Sequence, residues 1–142
     1  MTIEKQTAQA FLEHLGEALE TGRLERVVSS WDIPALVVAK EGTRDITSSE
    51  QVREFYGSAT RWYHFHGLHL GKPAIERFET LGSGLASVDV EWRTRKNDGT
   101  AACPERSRYI LRLDAAGSPK ICVALSLDPF APGCVAPGGG AS

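Results

Sequence analysis

The sequence predicts an α+β domain in which three N-terminal helices lie on one face of a strongly curved, mostly antiparallel sheet. Three observations lead there. Between Leu85 and Leu127 apolar side chains recur at every second residue and strong turn signals divide the run. Up to Tyr63 they recur instead at every third and fourth residue. The helical segments come first and the strands follow in a row, an order that gathers helices on one side of a sheet.

The first helix is expected from about Ile3 to Leu19, with Ala8, Phe11, Leu12, Leu15, Ala18 and Leu19 on one face and Glu13, Glu17 and Glu20 opposite. Thr21-Gly22 ends it, glycine being the natural left-handed residue past a helix C-terminus. Leu24, Val27, Val28 and Trp31 repeat the helical spacing until Asp32-Ile33-Pro34 stops it, since proline disfavours a helical residue before it. Ala35 to Ala39 reads as a short strand and Lys40-Glu41-Gly42 as its turn, after which a loop leads to the third helix. Ser48 and Gln51 form a capping box. Val52, Phe55, Tyr56, Ala59, Trp62 and Tyr63 make an aromatic stripe, and Gly67 ends the helix. A strand follows in Leu68 to Leu81, confined to an edge or bent by Pro73, and Gly82-Ser83-Gly84 turns it.

The central run supplies three more strands. Ala86, Val88, Val90 and Trp92 oppose Ser87, Asp89, Glu91 and Arg93, the pattern of one dry and one polar face. Asn97-Asp98-Gly99 turns the chain back, because Asn and Asp tolerate positive φ and glycine has no Cβ. Tyr109, Leu111 and Leu113 then oppose Arg108, Arg112 and Asp114. After Ala115-Ala116-Gly117, Ile121, Val123, Leu125 and Leu127 make the last strand. The domain is expected over residues 1-128, with residues 129-142, rich in Pro and Gly, forming a flexible tail.

With 142 residues, 42% hydrophobic and 24% charged, the chain is long enough for one real core. A formal charge of −2 built from mixed signs gives no nucleic-acid footprint. The apolar runs are too short to span a bilayer, and the polar start, with Glu4 and Lys5, does not resemble a signal peptide. Cys103, Cys122 and Cys134 are odd in number and irregularly spaced, which speaks against a disulfide framework or zinc site and for a reducing, cytoplasmic setting.

Taken together, three segments and their order resemble the nuclear transport factor 2-like superfamily, and within it the SnoaL-like and ketosteroid-isomerase-like proteins. They are the helix pair ending in Ser30-Trp31-Asp32, the Gly42 loop leading to Ser48-Ser49-Glu50-Gln51-Val52, and Arg108-Tyr109-Ile110-Leu111-Arg112 with Gly117 and Lys120-Ile121-Cys122-Val123. The likeness covers about Glu4 to Asp128. It implies a cone-shaped, cystatin-like fold, a homodimer through the outer sheet face, and a small-molecule pocket between the concave face and the helices. Two departures from the pattern matter: Pro119 stands where an aromatic residue commonly precedes the last strand, and Val123, Leu125 and Leu127 occupy last-strand positions where catalytic or polar relatives often place His or Asp.

The chemistry-bearing residues admit more than one reading. His64, His66 and His69 include two imidazoles on one side of an extended segment, but no carboxylate or Cys at compatible spacing completes a ligand set, so neither metal nor other cofactor is expected. His66, after the aromatic helix end where pockets of the superfamily open, is a candidate catalytic group at the rim. Asp32 beside Trp31 is a second, as a general base whose pKa burial would raise, although an Asp before Ile-Pro also commonly binds nearby backbone N–H groups. Trp31, Tyr56, Tyr63, Trp92 and Tyr109 are the expected pocket wall. The expected function is binding of a small, largely apolar molecule, with proton transfer of the isomerase, cyclase or dehydratase type; the alternative is a non-catalytic dimeric module whose cavity is packed. An empty pocket above roughly 300 Å³ with an inward His or Asp favours the first.

Overall fold

Helical spacing becomes helix where one face can be covered. α1 (Lys5–Glu20) buries Ala8, Leu12, Leu15, Gly16 and Ala18, and the transfer of Leu12 and Leu15 out of water alone contributes about 3–6 kcal/mol. Its end is the expected glycine cap: Gly22 has φ +71°, and the Arg23 N–H reaches back to the Ala18 carbonyl at 2.8 Å. The computed structural model describes residues 1–102 and 104–127, leaving aside the side chains of Ala59 and Trp62. The expectations for the Pro/Gly tail, Cys103, Cys134 and the Trp62 ring lie outside the described residues.

The second helix is shorter than its spacing suggests. α2 (Leu24–Ser29) stops before Trp31, which opens β1 (Trp31–Ala39). Pairing with the last strand decides this: the Ile121 N–H donates to the Ser30 carbonyl at 2.8 Å, and Lys120 Nζ donates to the Ser29 carbonyl. The register of β1 shifts between Trp31 and Leu36, around a cis Ile33–Pro34 peptide. The segment read as a loop contains β2 (Gly42–Ile46), an edge strand whose polar residues hide its pairing with β1. α3 (Ser49–Phe65) starts on the capping box, with the Gln51 N–H donating to Ser48 Oγ (3.3 Å) and the Ser48 N–H donating to Gln51 Oε1 (3.2 Å).

The remaining strands are β3 (Leu68–His69), β4 (Pro73–Thr80), β5 (Leu85–Trp92), β6 (Arg95–Lys96), β7 (Glu105–Leu113) and β8 (Pro119–Ser126). Six of the eight described strands form one sheet in the order β2-β1-β8-β7-β5-β4, antiparallel throughout except where β1 runs parallel to β8. Pro73 begins the edge strand β4, so its missing N–H costs no ladder bond. β3 and β6 pair separately as a two-stranded flap, and the expected reversal at Asn97-Asp98-Gly99 folds β6 back onto Thr100 and Ala101.

The dry face of β5 is as the alternation predicts: Ala86, Val88, Val90 and Trp92 are all buried. On the opposite face Arg108 makes a fork to Asp89, with Nε donating at 2.6 Å and Nη2 at 3.0 Å, and the pair lies within one chain. β8 departs from simple alternation. The register between β7 and β8 slips between Ile110 and Leu111, so Ile121 and Ala124 face the core while Val123 and Leu125 face outward beside Ile110 and Arg108. Cys122 occupies the bulge, its thiol donating to the Ile110 carbonyl at 3.3 Å.

Candidate functional site

Helices and sheet do not close completely on each other: a cavity of about 220 Å³ remains between α1, α3, β5, β7 and the flap. That is below the roughly 300 Å³ expected of a ligand pocket, yet it is a void and not a packed cone. Leu19, Leu68, Leu70 and Trp92 give it apolar walls; Tyr56, Tyr63 and Tyr109 add rings with polar tips. Gly16 is what lets α1 come down on Trp92, since a Cβ there would lie 2.9 Å from the indole Cζ3. Trp92 Nε1 in turn donates to the Tyr109 hydroxyl at 3.2 Å.

The polar centre of the cavity is Glu105. As first residue of β7 it pairs with Trp92, the last of β5, so both side chains enter from the floor. Tyr63 donates its hydroxyl to Glu105 Oε2. Among the described residues no other hydrogen bond to this carboxyl is seen, and Glu105 lines the void. Burial raises the carboxyl pKa, and the bond from Tyr63 only partly opposes this. The neighbouring phenols hold their protons tightly. Burial and then the charge of Glu105 push Tyr109 up to about 12, and burial raises Tyr63 and Tyr56 as well. Glu105 therefore gives up its proton more readily than the phenols around it.

At the mouth, the flap is fastened to α1 through His69. Its Nδ1 lies 2.7 Å from Glu20 Oε1 and its Nε2 2.7 Å from Asn97 Oδ1, while the Leu70 N–H donates to Glu20 Oε2 at 3.0 Å. Two oxygens facing the two ring nitrogens favour the imidazolium, and the bond to Glu20, followed by that to Asn97, raises the pKa of His69. His64 lines the same mouth.

The predicted site is thus partly assembled. Tyr56, Tyr63, Trp92 and Tyr109 line the cavity together. Trp31 stands behind them, on the core side, edge-on to Tyr56 and Phe55 at 6.0 and 6.5 Å; its buried Nε1 lies near the Tyr56 phenol but has no hydrogen bond of normal geometry. His66 requires correction: it is exposed, packs edge-on against Phe65, and does not reach the cavity, because α3 continues to Phe65 and the chain turns away at Gly67. Asp32 is corrected too. It projects from the outer face of β1 and binds Arg112 Nη1 at 2.9 Å across β8, away from any apolar recess. Among the described residues no three His, Cys, Asp or Glu side chains gather into a metal-holding set, and no helix is long and apolar enough to cross a membrane. Glu105 was missed although the alternation reaches it: Tyr109, Ser107 and Glu105 share one face.

The sequence matches the family described as NTF2-like protein (DUF6841) over residues 3–129. The chain belongs to this NTF2-like family. Solved structures with the same architecture include a cystatin-like-fold protein of unknown function from Nostoc punctiforme, 10% identical with TM-score 0.67, covering 92% of each chain. An NTF2-like protein of unknown function from Shewanella oneidensis is 12% identical with TM-score 0.64, over 89% of this chain and all (100%) of that one. A ketosteroid isomerase-like protein from Erwinia carotovora is 15% identical with TM-score 0.59, over 89% and 100%. At such identities the likeness establishes the cystatin-like fold. No curated protein matches the sequence.

Proposed function

We propose that this NTF2-like protein binds a compact, largely apolar small molecule in the cavity over β5 and β7, with Glu105 holding its polar end. One observation carries the reading: a half-buried carboxyl in the wall of an unfilled, ring-lined void, bonded among the described residues through one oxygen to Tyr63. Folding does not leave a carboxyl so placed without cost, and a ligand is what would satisfy it. A carboxyl with a raised pKa also suits proton transfer, the isomerase-type chemistry that the name of one fold neighbour suggests. A thermal-shift screen of single-ring and fused-ring compounds tests the reading, because ligands of the native state raise the melting temperature. Hits should vanish in Thr60→Phe, which fills the void from α3; hits that persist there, or none from a broad collection, would overturn it.

The outer sheet face supports a homodimer. Leu36, Val38, Ile110, Val123 and Leu125 form a partly exposed apolar strip, bounded by the Asp89–Arg108 and Asp32–Arg112 pairs. An apolar centre with a rim of both signs can meet its own copy about a two-fold axis. Sedimentation at micromolar concentration should give a dimer that Val123→Glu dissociates; a wild-type monomer would refute this. An odd number of irregularly spaced cysteines supports a reducing, cytoplasmic setting.

A further inference from the structure

We propose that the molecule taken up by the cavity is an organic cation, a protonated amine on an apolar body of about single-ring size, with Glu105 as its counter-charge. The inference rests on the ligand-binding reading above and adds the charge of the ligand.

The charged side chains of the walls favour a cation, because the imidazolium of His69 is already taken up by Glu20. Glu20 and Glu105 line the cavity, and no Lys or Arg does so. Residues 59, 62, 103 and 128–142 could add none, since the sequence has neither Lys nor Arg at those positions. Glu20 is already balanced by His69 and by the Leu70 N–H. Glu105 is not: it faces Tyr63 and His64 from α3, Glu20 from α1, His69 from the flap, Trp92 from β5 and Tyr109 along its own strand, and of these only the Tyr63 hydroxyl bonds it. Its near neighbour Arg106 reaches away to Glu76 on the other face, at 2.8 Å. Burial without a bonded cation raises the pKa of a carboxyl in this position, so it holds its proton to a higher pH than an exposed glutamate. An ammonium supplies that cation, and the surrounding rings of Tyr56, Tyr63, Trp92 and Tyr109 are the kind of wall that attracts one. The volume of about 220 Å³ exceeds the roughly 150 Å³ that accommodates benzene, so a ring with a short substituent fits.

The exchange balances. The protonated amine enters, the Glu105 proton leaves to solvent, and carboxylate and ammonium remain paired. Uptake by the empty form therefore releases up to one proton, and affinity rises with pH until Glu105 is already ionised.

Benzylamine and benzyl alcohol, matched in shape and differing in charge, provide the test. Calorimetric titration of the full chain should show benzylamine binding at least about tenfold more tightly than the alcohol near neutral pH, a charged hydrogen bond being the stronger. Its affinity should weaken as pH falls through the raised Glu105 pKa, with proton release there visible as a dependence of the heat on the buffer. In Glu105→Gln the preference for the amine should collapse. Should that variant not fold, the fall of wild-type amine affinity with falling pH, absent for the alcohol, decides alone. Alcohol bound as well as amine, or amine affinity unchanged as pH falls, overturns the charge assignment and leaves the pocket reading standing. Binding of neither compound also overturns it, and the pocket reading then falls only if the wider screen finds no ligand.

Discussion

Glu105 keeps its proton to a higher pH than an exposed glutamate, and this fixes the sign of its contribution to stability. Above its ordinary value of 4.5 the unfolded chain gives up this proton while the native chain retains it, so stability falls as pH rises towards the raised pKa. His69 acts in the same direction: its stabilising contact with Glu20 is fully present below its ordinary value of 6.5 and is lost as pH climbs through the raised one. Asp89, held low first by its bond from Arg108, behaves oppositely, stabilising above its ordinary 3.8 and failing as pH drops through the lowered value. The melting temperature should accordingly peak in mildly acidic solution and decline towards pH 8. Glu105→Gln removes one titrating proton and should flatten the decline above about pH 4.5; an unchanged slope would show that the carboxyl is not retained as the acid.

Among the elements, α1 and the flap set the floor-to-roof distance of the cavity. Gly16→Ala gains about 1 kcal/mol of helix propensity but drives a methyl to 2.9 Å from the Trp92 ring, an overpacking worth about 1–3 kcal/mol. The net expectation is a loss of up to about 2 kcal/mol in denaturant unfolding; a gain would mean that Trp92 is free to yield. The flap depends on the imidazolium of His69 between Glu20 and Asn97. Hydrogen exchange, corrected for its intrinsic pH dependence, should show Leu68–Leu70 losing protection as pH rises through the His69 pKa while β5 does not change. His69→Phe should remove that difference.

Over the whole molecule, what could be read in advance was whatever a repeating period or a specific turn encodes: the face of α1, the capping box at Ser48 and Gln51, Val88 and Val90 in the core, the reversal at Gly99. What escaped was set by pairing between distant segments. β2 is polar because an edge strand needs little burial, Trp31 left its helix because β8 claimed its backbone, and the slip at Cys122 turned Val123 and Leu125 outward without a mark in the sequence. Glu105 is intermediate: the alternation from Tyr109 indicates it, but a charged residue after Pro104 also fits a loop. The parallel pairing of β1 with β8, Trp31 against Ile121 and Val37 against Ala124, has a further consequence during synthesis. A ribosome delivers β1 long before its neighbour exists, so the β1–β2 hairpin must wait, with the second edge of β1 unpaired, until β8 emerges. Nascent chains halted after Leu113 should therefore stay protease-sensitive across residues 31–46, and protection should arrive in one step once Ser126 has cleared the exit tunnel; earlier protection would mean that the hairpin finds cover without β8.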